Sequence, residues 1–219
     1  MTDALAAVLF DMDGLLVDTE PLWLETETEA MERLGGPWSA ADQEALLGGS
    51  MARTVSYLLS KATRPRSPET VARWMVDGMM DRVRAGRVVV RPGARELVTE
   101  VAAAGVPYSL VTSSQRPFAE AVLASTGLPF PVTVCSDDVS VTKPAPDPYL
   151  LGAKLLSVDP AACVALEDSP NGVASATAAG CHVIAVPSLL TIPPAPGRLV
   201  VPSLTEVTLN ILREHVASL

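Results

Sequence analysis

Cysteine is scarce in this sequence of 219 residues, which contains only Cys135, Cys163 and Cys181. Their number is odd and their spacing does not match that of zinc-binding cysteines, so the sequence indicates neither a disulfide framework nor a cysteine metal site. Each cysteine lies in or beside a predicted strand, which favours buried free thiols in a reducing compartment. We therefore expect a cytoplasmic protein.

Positive charge is also scarce. The sequence has 16 lysines and arginines but 25 aspartates and glutamates, which gives a net charge of −9. Such a chain is a poor candidate for binding nucleic acid or an anionic membrane surface. No apolar run approaches the roughly 18 residues of a membrane-spanning helix, and the N-terminus lacks the basic segment of a signal peptide. We expect a small-molecule partner and neither nucleic acid nor membrane; a monomer is compatible with the sequence.

The sequence lacks the patterns G-x-x-x-x-G-K-[ST] and G-x-G-x-x-G, so a P-loop or a dinucleotide site has no support. It has instead short apolar runs separated by helical patterns, most of which end at glycine. The predicted strands are Ala6–Phe10, Tyr108–Thr112, Val132–Cys135, Cys163–Leu166 and His182–Val186, and the predicted helices are Ala94–Ala104, Pro117–Thr126, Pro148–Leu156 and Pro170–Ala179. This alternation predicts an α/β fold with a doubly wound, Rossmann-like parallel sheet.

The interval between the first two predicted strands, residues 11–107, is far longer than a simple crossover needs. Four helical patterns fill it: residues 19–34, a segment from Ser39 to Gly48-Gly49, a segment from Met51 to Ala62, and a segment from Ser67-Pro68 to Gly86. We predict a helical cap domain over residues 16–86, inserted in a core of residues 1–15 and 87–219. Residues 187–202 are predicted to be a surface connection, followed by a last helix that Ser203 and Glu206 cap.

Polar side chains follow four of the five predicted strands. In a doubly wound sheet, ligands bind outside the carboxyl ends of the strands, so these side chains are expected to share one site. They are Asp11 and Asp13 after the first strand, Thr112, Ser113 and Ser114 after the second, Lys143 after the third, and Glu167 and Asp168 after the fourth. The fifth strand, ending at Val186-Pro187, offers no such group.

These residue types suit a phosphate and a divalent cation. Carboxylates such as Asp11 and Asp168 are ligands that Mg²⁺ prefers, and the cation offsets their mutual repulsion. Lys143 adds a positive charge and Thr112 a hydroxyl donor. One carboxylate could attack phosphorus to form an aspartyl-phosphate, and a second could protonate the leaving oxygen and then deprotonate water. The pattern therefore predicts Mg²⁺-dependent phosphoryl transfer.

Four segments, "DMDGLLVDTEP", "LVTSS", "KPAPDPYL" and "EDSPNGVASATAAG", resemble the motifs of the haloacid dehalogenase-like hydrolase superfamily over roughly residues 5–187. The helical insertion after the first motif is similar to the subgroup with an α-helical cap, which contains β-phosphoglucomutases, sugar-phosphate phosphatases and phosphoglycolate phosphatases. The resemblance implies that Asp11 is the nucleophile and Asp13 the general acid/base. It also implies Mg²⁺ bound by Asp11, the Asp13 carbonyl and Asp168, with Glu167 at the metal directly or through water.

The same resemblance implies that Thr112 and Lys143 hold the transferring phosphoryl group. Ser113 and Ser114 either donate to the phosphate or cap the next helix. Because true dehalogenases lack the second aspartate, Asp13 favours phosphoryl transfer over carbon–halogen cleavage.

Phosphatase activity is favoured over mutase activity by one position in the cap. β-Phosphoglucomutases have a cap histidine at the position of Trp23, whereas the two histidines here, His182 and His215, lie outside the cap. "DTEPLW" instead resembles bacterial sugar- and hexitol-phosphate phosphatases. We therefore predict hydrolysis of a small sugar or polyol phosphate, with a phosphosugar mutase as the alternative.

Three cap residues are candidates for substrate contacts. Glu20 could bind a sugar hydroxyl, Trp23 could stack on a sugar face or serve only packing, and Arg53, in the segment 48–53, could meet a second anion or be a solvated charge. An alternative of another class is a non-enzymatic phosphoacceptor switch, which also clusters acids, a threonine and a lysine. The helical insertion and Asp13 argue against it, since a switch has no substrate to enclose or turn over.

Overall fold

The short apolar runs of the sequence form strands in the computed structural model, which describes residues 5–46 and 51–217. The strands are β1 (Ala7–Phe10), β2 (Val17–Asp18), β3 (Val89–Val90), β4 (Tyr108–Val111), β5 (Thr133–Val134), β6 (Cys163–Glu167), β7 (His182–Ala185) and β8 (Arg198–Val200). The main sheet has the order β5-β4-β1-β6-β7-β8, and every neighbouring pair in it is parallel. The predicted doubly wound sheet is confirmed.

Helices follow the strands along the chain. They are α1 (Glu20–Leu34), α2 (Ala40–Leu46), α3 (Met51–Lys61), α4 (Pro68–Arg84), α5 (Ala94–Ala103), α6 (Arg116–Thr126), α7 (Asp147–Leu155), α8 (Pro170–Ala178) and α9 (Leu209–Ala217). Among the described residues, no helix is both long enough and apolar enough to span a membrane.

Strand β1 is the topological switch point of the sheet. The chain continues from β1 to β4 and β5 on one side and later to β6, β7 and β8 on the other. Phe10 therefore lies beside Leu110 of β4 and Leu166 of β6 in the strand register. Residues that follow β1 are brought next to the carboxyl ends of both neighbours, which is where ligands bind in such sheets.

The described residues divide into two compact units. One belongs to Met1–Asp18 and Val89–Leu219 and holds the main sheet; the other is Thr19–Val88 and holds α1–α4. The chain leaves the sheet unit after β2 and returns to it at β3, and these two strands pair antiparallel, Val17 with Val90 and Asp18 with Val89.

Each unit has its own apolar core. In the sheet unit, fully buried residues of β1 and β6 pack with Tyr149 and Ala153 of α7 and Val173 and Ala176 of α8. In the helical unit, α1 packs against α3 and α4 through Ala30, Met31, Leu34, Val55, Leu58, Val71 and Met75. The predicted start of α4 is confirmed, because the Ser67 side chain accepts a hydrogen bond from the Thr70 amide and Pro68 is the first helical residue.

The C-terminal part differs from the prediction. Residues 187–202 are not only a connection, because Arg198–Val200 pair with β7 as the edge strand β8. An edge strand needs a single neighbour, so three half-buried residues suffice and no long apolar run marks it. The segment that Ser203 caps is a short 3₁₀ turn, Leu204–Glu206, and the last helix begins only at Leu209. The predicted end of α2 at Gly48-Gly49 lies outside the described residues.

Candidate active site

Asp11 directly follows the central strand β1. Its amide donates to the carbonyl of Leu166, 3.0 Å away, so the β1–β6 ladder fixes its backbone. The side chain is buried with 7% exposure. A carboxylate in this place has little water around it and depends on protein groups for its stabilisation.

Lys143 supplies the positive charge beside Asp11. Its Nζ donates to Asp11 Oδ1 at 2.6 Å, to Glu167 Oε1 at 2.5 Å and to the Val111 carbonyl at 2.8 Å. These bonds use all three donors of an ammonium group. Because the lysine side chain is only 5% exposed, the interaction is one between buried charges and is screened little by salt.

Glu167 is completely buried, and protein donors surround both of its carboxylate oxygens. Oε1 accepts from Lys143 and from the Tyr149 hydroxyl at 2.6 Å. Oε2 accepts from the Asp168 amide at 3.2 Å and from Ser169 Oγ at 3.3 Å. Four donors occupy this carboxylate, so its main effect in the structure is to hold the Lys143 ammonium in place.

Asp168 follows β6 and is 7% exposed. The Ser188 hydroxyl donates to its Oδ2, and Gly14 lies against the same oxygen. A Cβ on Gly14 would be 2.0 Å from Asp168 Oδ2, and the φ angle of Gly14 is +89°. Glycine is therefore required at this position for two reasons, the backbone conformation and the space that the Asp168 carboxylate occupies.

Three carboxylates form a group that could hold a divalent cation. Oxygens of Asp11, Glu167 and Asp168 lie within 4.8 Å of one another. Ligand atoms about 2.1 Å from one Mg²⁺ lie up to about 4.2 Å apart, so small side-chain shifts would bring such oxygens onto one ion. Hard carboxylate oxygens, several of them buried, fit magnesium in both chemistry and spacing.

The pKa values of this group show that negative charge is in excess. Burial raises the pKa of Asp11 well above its usual range, against the lowering effect of Lys143, and the charges of Glu167 and Asp168 raise it further. Burial, with Glu167, raises the pKa of Asp168 to about 7, although the Ser188 hydroxyl opposes the shift. Burial alone would lower the pKa of Lys143, but Asp11 and Glu167 hold it above its usual value. One lysine does not balance these acids, which favours binding of a cation.

A hydrogen bond links Asp13 to the residues that follow β4. Ser114 Oγ donates to Asp13 Oδ2 at 2.8 Å, and the Ser114 amide donates to Thr112 Oγ1 at 3.0 Å. Thr112 is buried, whereas Ser113 is exposed. The structure thus links Ser114 to the predicted acid/base residue, a partner that the sequence pattern did not indicate.

The three predicted cap residues belong to the helical unit. Glu20 is the first residue of α1, and Trp23 packs on the apolar core of that unit. Arg53 lies in α3 rather than in a loop, and its guanidinium donates to the Ala45 carbonyl at 2.6 Å. Their contacts with a substrate stay predictions.

Two residues of the site were missed in the sequence. Tyr149 is fully buried and binds Glu167, and Lys143 Nζ lies 5.0 Å from the centre of its ring. It lies six residues after Lys143, in a helical pattern where a buried aromatic is expected to serve packing alone. Ser188 lies two residues beyond the end of the fifth predicted strand, so the strand-end rule identifies it when it is extended by one residue past Pro187.

Replacing Gly172 with alanine tests the packing under Glu167. A Cβ at residue 172 would lie 1.9 Å from Glu167 Oε1, so the buried carboxylate must move and Lys143 must lose its alignment. For Gly172→Ala we expect the free energy of unfolding to fall by about 1–3 kcal/mol and the predicted phosphoryl-transfer activity to fall at least about tenfold. Ala174→Ser, at an exposed position of the same helix, should change neither quantity. Urea unfolding and steady-state assays measure both; unchanged stability in Gly172→Ala would contradict this geometry.

The chain is similar to known proteins over most of its length. Residues 8–186 match the family model described as "Haloacid dehalogenase-like hydrolase". Hexitol phosphatase A of Escherichia coli (strain K12) is 37% identical over 183 residues, which cover 81% of this chain and 81% of that protein. Protein CbbY of Rhodobacter capsulatus is 33% identical over 198 residues, 85% of this chain and 87% of that protein. The crystal structure of a CbbY mutant from Rhodobacter sphaeroides in complex with xylulose-(1,5)bisphosphate has a TM-score of 0.82 at 29% identity and covers 95% of this chain and 99% of that chain.

Proposed function

Because the chain belongs to the haloacid dehalogenase-like hydrolases, we propose that it is a Mg²⁺-dependent phosphatase that hydrolyses a small sugar or polyol phosphate. One observation carries the proposal: the buried Lys143 ammonium is bound by Asp11 and Glu167, next to a third carboxylate, Asp168. This arrangement offers a nucleophile, a fixed positive charge and ligands for a cation at one edge of the sheet. Phosphoryl transfer needs all three.

Asp11 is the proposed nucleophile. Its carboxylate attacks the phosphorus, the bond to the alcohol oxygen of the substrate breaks, and an aspartyl-phosphate forms on Asp11. Lys143, 2.6 Å from Asp11 Oδ1, places its charge where the phosphoryl oxygens would lie and orients the attacking carboxylate. Thr112 and Ser113 follow β4 at the same edge of the sheet and would donate to the phosphoryl oxygens.

Asp13 is the proposed general acid and base. It would give a proton to the departing alcohol and later take one from the water that hydrolyses the aspartyl-phosphate. The hydrogen bond from Ser114 Oγ to Asp13 Oδ2 fixes one oxygen of this carboxyl group. Ser114 is therefore proposed to orient Asp13, in addition to or in place of binding phosphate.

Asp11, Asp168 and the backbone carbonyl of Asp13 are the proposed magnesium ligands. When bound, the cation neutralises negative charge on the phosphate and on these acids. Glu167 is proposed to act at the metal through water rather than directly, because four protein donors already occupy its oxygens. This ligand set agrees with the coordination preference of Mg²⁺, which binds one or two carboxylates and keeps several water ligands.

The substrate class is inferred from the relatives and from the helical unit. The similar E. coli protein is a hexitol phosphatase, and the CbbY structure contains a sugar bisphosphate. We propose that residues 16–86, most of which belong to the helical unit, form a cap domain. Glu20, Trp23 and Arg53 of this cap are proposed to contact the alcohol part of the substrate. Trp23 stands where a mutase would need a histidine, while His182 and His215 hydrogen-bond to backbone carbonyls of the sheet unit. Hydrolysis is therefore favoured over a mutase reaction.

A cytoplasmic location is also proposed. The three cysteines are free and buried, and burial raises the thiol pKa of Cys135 and Cys163 to about 11 and of Cys181 to about 12. Thiols that stay protonated are unreactive and fit a reducing compartment.

A substrate panel tests the proposed function. p-Nitrophenyl phosphate and a series of hexose, pentose and hexitol phosphates are incubated with the protein and Mg²⁺, and released inorganic phosphate is measured. We expect release from hexitol or sugar phosphates and its loss on chelation of the metal. Conversion of β-glucose 1-phosphate to glucose 6-phosphate, in the presence of a bisphosphate primer and without phosphate release, would identify a mutase. No turnover of any ester would refute the proposal.

Magnesium is expected to stabilise the protein more at alkaline than at acidic pH. The pKa of Asp168 is raised from 3.8 to about 7, so the metal-free folded state carries a penalty that is absent below pH 3.8, grows between the two values and is complete above about 7. Above about pH 7, Mg²⁺ binds the ionised Asp168 carboxylate and offsets this penalty. At lower pH, the cation must first displace a proton from Asp168, which weakens its binding. The thermal midpoint should rise more with Mg²⁺ at about pH 8 than at about pH 5.5. An equal or larger rise at the lower pH would contradict the assigned ligands.

A further inference from the structure

Glu27 in α1 is a buried residue, and one of its two carboxylate oxygens, Oε2, has no hydrogen-bond donor among the described residues. The residue is 6% exposed, and its Oε2 is inaccessible to solvent and accepts no hydrogen bond from the described residues. Burying an ionised carboxylate in this way is strongly unfavourable, and an apolar side chain in its place would remove the cost. Because this carboxylate does not stabilise the fold, we look for its role in function.

The other acids of α1 are stabilised by arginines. Arg82 binds Glu25 and Glu29, and Arg87 binds Glu25 with both of its terminal nitrogens at 2.7 Å. Hydrogen bonds from Arg87 and Arg82 lower the pKa of Glu25 to about 2. Burial, together with the charge of Glu20, raises the pKa of Glu27 to about 7, and no lysine or arginine opposes the shift. Arg82 and Arg87 therefore neutralise the acids on one face of α1, whereas Glu27 lies on another face.

Glu27 lies on the same stripe of α1 as two residues that we expect to contact the substrate. Glu20, Trp23 and Glu27 are spaced i, i+3 and i+7, so their side chains follow one another along one face of the helix. Residues further along that stripe, Ala30, Met31 and Leu34, are apolar and belong to the core of the helical unit. Glu27 is thus the last polar group before the core begins, about 10 Å along the helix axis from Glu20.

We propose that Glu27 binds the substrate by accepting a hydrogen bond from a hydroxyl group of the sugar or polyol. A hydroxyl is a neutral donor, and it supplies the hydrogen bond that Oε2 lacks within the protein. A carboxylate that is stabilised only when such a group is present discriminates strongly against ligands without it. The inference rests on the proposed function, since it names a specificity residue for that substrate class.

Glu27→Gln tests the proposal. The amide keeps the size of the side chain but replaces one acceptor oxygen with a donor and removes the charge. For a hexitol phosphate we expect kcat/KM to fall about tenfold to a hundredfold, mainly through KM. For p-nitrophenyl phosphate, which has no sugar hydroxyls, we expect a change of less than about twofold. The thermal midpoint should not fall, because a neutral amide costs less to bury than a carboxylate.

Glu32→Gln is the matched control, because Glu32 is exposed on the same helix and should leave both substrates unaffected. An equal loss on both substrates, or no loss on either, would overturn the role of Glu27 while the phosphatase activity of the wild-type chain stands. A wild-type chain that hydrolyses p-nitrophenyl phosphate but no hydroxylated phosphate ester would overturn the proposed substrate class and the role of Glu27 together.

Discussion

Asp11→Asn is expected to lower kcat by at least about 10⁴-fold, because an amide cannot attack phosphorus and no other group takes over the covalent step. In the structure, this substitution preserves the hydrogen bonds around residue 11. The asparagine oxygen can still accept from Lys143 Nζ, which also keeps Glu167 and the Val111 carbonyl as partners. Burial raises the pKa of Asp11 well above its usual range, so removing the charge should not destabilise the fold.

The measurement combines steady-state kinetics with thermal unfolding. Asp77→Asn is the matched control, since Asp77 is exposed on α4 and should retain full activity. Loss of activity at an unchanged thermal midpoint is the result expected for a nucleophile. Activity in Asp11→Asn within about tenfold of wild type would show that Asp11 is not the attacking group.

Lys143→Gln should affect both catalysis and stability. The substitution removes the only positive charge that contacts Asp11 and Glu167 among the described residues, leaving buried carboxylates that repel one another. Breaking a buried charge pair in this way costs about 3–5 kcal/mol of the free energy of unfolding. We also expect kcat/KM to fall about 10³-fold, because a fixed positive charge at the transferring group is lost.

The pH and Mg²⁺ dependence of the stability loss in Lys143→Gln distinguishes the loss of a buried charge from a general packing defect. Asp11 and Glu167 hold the pKa of Lys143 above its usual value, so the lysine stays charged between about pH 6 and about pH 9, and any pH dependence in that range comes from the acids around it. The loss in Lys143→Gln should be larger at about pH 9 than at about pH 6, because Asp168, whose pKa is raised to about 7, is largely protonated at the lower pH and then repels its neighbours less. Mg²⁺ should restore part of it, as a second cation for the same acids. Lys154→Gln, at an exposed position of α7, should show no loss; if both variants lose stability equally, the buried network is not its source.

The sheet and most of its polar edge could be predicted because they follow from local patterns. Continuous apolar runs identify strands buried on both faces, and parallel strands bring the residues after them to one edge. This rule alone predicts that Asp11, Lys143, Glu167 and Asp168 share one site. The helical insertion was predicted from the length between the first two strands and from Ser67-Pro68, a strong start signal.

The supporting contacts could not be predicted, since they depend on which side chains tertiary packing brings together. Nothing in the sequence indicates that the Tyr149 hydroxyl binds Glu167, or that Gly14 and Gly172 are needed because carboxylates lie where a Cβ would be. Helical spacing alone puts Glu27 on the same face of α1 as Ala30, Met31 and Leu34, and only the structure shows that its buried Oε2 has no donor among the described residues. Local propensity also could not find the edge strand β8, whose three residues are only half-buried.

The most direct test of the central claim is the detection of phosphate on Asp11. With p-nitrophenyl phosphate, whose leaving group needs no protonation, Asp13→Asn should form the aspartyl-phosphate but hydrolyse it slowly, because the residue that would deprotonate water is gone. After incubation with Mg²⁺ and substrate, acid quenching and digestion, mass spectrometry should find one phosphoryl group on the peptide that contains Asp11. The double variant Asp11→Asn with Asp13→Asn should show none. Phosphate on another residue, or an equal amount in the double variant, would contradict the mechanism.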